Sequence, residues 1–62
     1  MGVEERVRQL IKEAGLTQME FGARVGIEKT KLSKSLAGSR RFTSLELALV
    51  AEQGGVTVDW LL

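Results

Sequence analysis

Sixty-two residues with no Cys, no His and a formal net charge of +1 describe one small domain without a disulfide framework, zinc finger, catalytic thiol or imidazole base. At 44% apolar and 27% charged the chain has a folded composition, but its size leaves no room for both a core and a deep substrate pocket. Its apolar runs fall far short of the roughly 18 residues of a membrane span, and the acidic start Glu4-Glu5 lacks a signal peptide's basic flank.

Residues 3–14 place Val3, Val7, Leu10, Ile11 and Ala14 on one stripe, with polar residues between them. This spacing predicts an amphipathic helix, closed by Gly15 in a left-handed position. In Leu16-Thr17-Gln18-Met19-Glu20-Phe21, Thr17 and Glu20 make a capping box, and Leu16 with Phe21 a hydrophobic staple. A second helix is therefore expected from Gln18 to Val25, stopping at Gly26. A third is expected over about Glu28 to Leu36, ending near Gly38. From Ile27 on, its only large apolar side chains are Leu32 and Leu36, so it should be mostly exposed, with Lys29, Lys31 and Lys34 outside.

After the basic loop Ser39-Arg40-Arg41, Thr43 and Glu46 form a second candidate capping box. The helix from about Ser44 to Gln53 contains Leu45, Leu47, Ala48, Leu49, Val50 and Ala51. Apolar on nearly every side, it is expected to be the central buried helix. Gly54-Gly55 ends it, and Val56 to Leu62 reads as a short fifth helix capped by Thr57. The expectation is a single all-α domain over residues 1–62, built from five short helices.

The charge is segregated along the chain. Residues 24–41 hold six basic residues against the single acid Glu28, a net +5, while the rest carries −4. Such a dipolar molecule would present one face to a polyanion, but the same stretch also reads as an ordinary solvated basic helix face, and charge alone does not choose between the two. A two-turn helix, a glycine turn and an exposed basic helix also read as a helix-turn-helix. Gly22 lacks a side chain where the two helices come closest, and Gly26 turns the chain with φ > 0. Phe21, Val25, Ile27 and Leu32 point inward and fix the crossing.

Leu16-Thr17-Gln18-x-x-Phe21-Gly22-x-x-Val25-Gly26-Ile27, then Leu32-Ser33-Lys34-x-Leu36-x-Gly38, resembles the phage-repressor (Cro/lambda-repressor-like, or XRE) family of DNA-binding domains. Ser44-Leu45-Glu46 and Val56 to Leu62 are similar to that family's fourth and fifth helices. The resemblance implies a five-helix domain of a bacterial or phage transcriptional regulator, reading a pseudo-palindromic operator as a homodimer. Carried over by position, Lys29, Thr30 and Lys34 would face base edges, with Lys31 and Ser33 flanking. Thr17 and Gln18 at the start of helix two, Arg24, and Ser39, Arg40 and Arg41 of the loop would hold phosphates.

Three positions depart from the family pattern. Ser35 stands where a large apolar residue is usual, with Leu36 expected to compensate through a shifted helix. Glu28 occupies an N-cap more often Ser or Thr, and no Pro precedes helix four.

Trp60 reads as a partly buried packing residue. An alternative to DNA binding is a protein-interaction or dimerisation module using the apolar segment 56–62. An enzyme is not expected, nor is a cofactor, metal or small-molecule substrate. Cytoplasmic location is expected, and the apolar end Trp60-Leu61-Leu62 suggests the N-terminal domain of a longer regulator.

Overall fold

The stripe of Val3, Val7, Leu10 and Ile11 organises α1 (Val3–Ala14), burying Val7, Leu10 and Ile11 and half-burying Val3. Ala14, at the end of the same stripe, is exposed. Four further helices follow: α2 (Gln18–Val25), α3 (Lys29–Leu36), α4 (Ser44–Gly54) and α5 (Val58–Leu61). The computed structural model describes residues 2–62, and among them it is all-α.

Three of the helices begin in the same way. An apolar residue, then Thr, precedes an apolar residue on the fourth helical position: Leu16-Thr17 with Phe21, Phe42-Thr43 with Leu47, Val56-Thr57 with Leu61. Each threonine hydroxyl accepts the third helical amide at 3.1 Å, from Glu20, Glu46 and Trp60 respectively. The Glu20 and Glu46 carboxylates return to the Thr17 and Thr43 amides at 2.9 Å, so both capping boxes are complete. The apolar partners join the core or pack against it, so a local cap and a tertiary anchor come from one short pattern.

Phe21, Val25, Ile27, Leu32, Leu36, Val50, Ala51 and Leu61 complete the core around α1. Gly22 allows α2 to meet the start of α3, since an added Cβ would stand 2.9 Å from the Ile27 carbonyl oxygen and 3.2 Å from Leu32 Cδ2. The two final glycines of α4 have separate tasks. The helix continues through Gly54, where a Cβ would meet Leu10 at 2.8 Å, and it is Gly55, at φ +67°, that turns the chain.

The expected burial of α4 is corrected. Val50 and Ala51 are buried, Leu47 and Leu49 are half-buried, and Ala48 and Leu45 are exposed, Leu45 to 70%. So short a chain has too few neighbours to surround one helix. α4 still packs against α1, α2 and α5, and its Val50 and Ala51 are its share of the core. No described helix is long and apolar enough to cross a membrane.

Candidate nucleic-acid interface

The outward side of α3 is the most cationic surface the helices offer. Leu32, Ser35 and Leu36 are its buried residues, and Lys29, Thr30, Lys31, Ser33 and Lys34 are exposed. At about 100° per residue, Thr30, Ser33 and Lys34 lie opposite the buried stripe, with Lys29 and Lys31 on the two flanks. No acid stands in the first turn. Two lysines there oppose the positive end of the helix dipole, an arrangement unfavourable for the helix and attractive to an anion. The N-cap Glu28 makes no side-chain capping hydrogen bond, unlike the threonines that begin α2, α4 and α5.

The other expected contact residues fall into three groups. Arg24, Ser39 and Arg41 are exposed. Gln18 is half-buried at the first position of α2, and the Thr17 hydroxyl caps that helix. Arg40 differs from all of these. Its Nη1 and Nη2 donate to the two carboxylate oxygens of Glu46 at 2.9 Å each, and Nη1 also donates to Ser35 Oγ at 2.9 Å. The Arg40 side chain is 27% exposed and that of Glu46 14%. Arg40, expected at a phosphate, is here paired with Glu46 and Ser35 inside the chain. The carboxylate raises the Arg40 pKa further through the same hydrogen bonds.

Ser35 is fully buried, and its hydroxyl finds its partner in Arg40. Leu36 is buried beside it. The missing apolar bulk is thus accompanied by a polar tie that satisfies the buried oxygen.

Two arginines of α1 have roles the sequence did not disclose. Arg8 Nη2 donates to the Leu36 carbonyl at 2.8 Å, placing a cation at the C-terminus of α3, where the helix dipole favours it. Arg6 Nη1 donates to the Trp60 carbonyl, and its guanidinium lies 4.9 Å from the centre of the Trp60 ring. That stacking fixes α1 to α5. Trp60 is half-buried, as its expected packing role requires. Partners 28 and 54 residues away leave no local signal in a sequence.

A shallow cavity of about 310 Å³ lies apart from the α3 face, between Val3 and Glu4 of α1, the 40–42 loop, Leu47 and Leu62. Leu62 is 68% exposed at its edge. No described cluster of acidic residues could hold a metal ion. Comparison with family models, with curated proteins and with solved structures finds no match to this chain.

Proposed function

We propose that the chain is a sequence-specific double-stranded-DNA-binding domain, the operator-reading part of a transcriptional regulator of the Cro/lambda-repressor-like kind. In this reading α2 and α3 form a helix-turn-helix, and α3 enters the major groove with its N-terminal turn toward the bases. The observation that carries it is the outer side of α3, where three lysines and two hydroxyls are exposed with no acid among them.

Lys29 and Thr30 lie in the first turn, and Lys34 continues the outward stripe. These three are assigned to base edges, with Lys31 and Ser33 beside them. A lysine donates to guanine O6 and N7, and a threonine methyl packs on a thymine methyl. Arg24, Ser39 and Arg41 are assigned to phosphates, with Thr17 and Gln18 supplying polar contacts at the start of α2. A second copy on the adjacent half-site completes the pseudo-palindrome.

Selection of bound duplexes from a random pool, followed by fluorescence anisotropy, tests the assignment. Lys34→Ala should cost about 1–3 kcal/mol on the selected duplex and relax the choice of one base pair. Arg41→Ala should weaken selected and scrambled duplexes alike. A pool that yields no preferred sequence at low salt would refute the function.

The exposed Leu45 and Leu62 support a second reading, a module whose main task is association through α4 and residues 56–62. Sedimentation equilibrium separates the two. Self-association without DNA, together with no duplex preference, would favour the module.

A further inference from the structure

Arg40 lies in the stretch where a phosphate ligand is expected, yet its geometry serves the chain itself. Nη1 gives both its protons, one to Ser35 Oγ and one to Glu46 Oε1, and Nη2 gives one to Glu46 Oε2. The protons left, one on Nη2 and that on Nε, belong to a cation already neutralised by a bidentate carboxylate.

The three residues stand on three different pieces of chain. Ser35 is the penultimate residue of α3, Arg40 is in the loop, and Glu46 is in the first turn of α4. Glu46 Oε1 also accepts from the Thr43 amide, so the carboxylate is fixed before Arg40 reaches it. The loop needs such a tie. The Ala37, Gly38 and Ser39 amides bond back to α3, and the next backbone–backbone bond involves Thr43. Between those points Arg40 is tied by its side chain and Phe42 packs against the core, while Arg41 is exposed.

We propose that Arg40, with Ser35 and Glu46, is a positioning residue for the DNA-reading surface and not a phosphate ligand. It locks the C-terminal end of α3 to the start of α4 and so sets where Lys34 and Arg41 meet the duplex. The inference rests on the DNA-binding function proposed above. Arg8 completes the brace from the opposite side by holding the Leu36 carbonyl.

Lys and Gln at position 40 separate ligand from brace, because lysine keeps the charge but has no planar fork. Anisotropy titrations across a salt series, on the selected and a scrambled duplex, provide the readout. Arg40→Lys and Arg40→Gln should both lower selected-duplex affinity roughly tenfold, the loss of one charge-assisted hydrogen-bond unit. The ratio of selected to scrambled affinity should fall with the salt slope unchanged. Ser35→Ala leaves every charge and the Arg40–Glu46 pair in place. It should lower the same ratio, which keeps the test decisive if the position 40 variants fail to fold.

In the free protein, amide exchange at Ala37, Gly38 and Ser39 should quicken in all three variants. Wild-type affinity for Arg40→Lys would overturn the proposal. So would a salt slope made shallower by about 0.9 in Arg40→Gln, the mark of one lost phosphate contact. An unaltered chain that prefers no duplex would instead refute the function itself, and the proposal with it.

Discussion

A Cβ on Gly22 would stand 2.9 Å from a backbone oxygen, that of Ile27, whereas one on Gly54 would meet the side chain of Leu10 at 2.8 Å. The distances are nearly equal, but the neighbours differ in what they can do. A carbonyl in a turn moves only with its chain, while a leucine can change rotamer. Ala in a helix gains up to about 1 kcal/mol over Gly in propensity. Gly54→Ala should therefore come close to neutral, and Gly22→Ala should lose about 1–3 kcal/mol through overpacking. Urea unfolding measures both, and the opposite order would show that the α2–α3 crossing is not set by this contact.

Two carboxylates make the free domain's stability depend on pH. Glu46 is held below the usual carboxylate range, first by the hydrogen bonds from Arg40 and also by the Thr43 amide, against partial desolvation that opposes them. Glu20 is lowered chiefly by the Thr17 amide and hydroxyl. In the unfolded chain both titrate near the ordinary value of about 4.3. With the folded values lower, the unfolded state binds more protons in that window, so stability rises with pH there. The contribution is complete above the unfolded value and is lost as pH falls through the folded ones. Melting temperature should decline from about pH 5 downward, and the Glu20→Gln/Glu46→Gln double variant should show a flatter decline.

At the scale of elements, the threonine-capped helices were legible because each signal lies within six residues. Thr17-x-x-Glu20 and Thr43-x-x-Glu46 are complete boxes, and Thr57 caps α5 as its position suggests. The exposure of α3 was equally legible from its scarcity of apolar side chains. The low burial of α4 was not, since periodicity reports which sides of a helix tolerate burial, not whether a neighbour exists to provide it. Ser35 stood out as a polar intrusion, but its partner required the fold, and so did the ties made by Arg6 and Arg8.

The start of α3 is the element most at odds with its own stability. Glu28 provides no cap, and Lys29 and Lys31 face the wrong end of the dipole. The double variant Glu28→Thr/Lys31→Glu would install the capping box that begins α2 and α4. It should gain about 1 kcal/mol, which in a domain of this size raises the melting temperature by about 4–8 °C. The same change should abolish duplex preference, because it replaces a first-turn cation by an anion while altering net charge by only one. A variant both more stable and equally selective would show that this turn does not approach DNA.

For the whole molecule, the proposed function makes the unpaired cations matter more than the formal charge. Of the six basic residues between 24 and 41, Arg40 is paired with Glu46, whereas Arg24, Lys29, Lys31, Lys34 and Arg41 are exposed. If every one of the five neutralised a phosphate, log K against log salt would fall with a slope of about −4.5. Lysines given to base edges bring it closer to zero, so a half-site duplex should show a slope between about −2 and −4.5. The molecule's largest extent is 25 Å, and half-sites one helical turn apart are centred about 34 Å from each other. On the proposed function, two copies would have room on one face of the duplex, since their half-site spacing exceeds that extent. A duplex with two selected half-sites at that spacing should bind two copies and roughly double the slope, measured by anisotropy from low to moderate salt. Doubling without any gain in affinity per site would mean that the copies bind independently; tighter binding per site would mean that they touch, and loss of that gain in Leu45→Ser or Leu62→Ser would place the contact at these exposed residues.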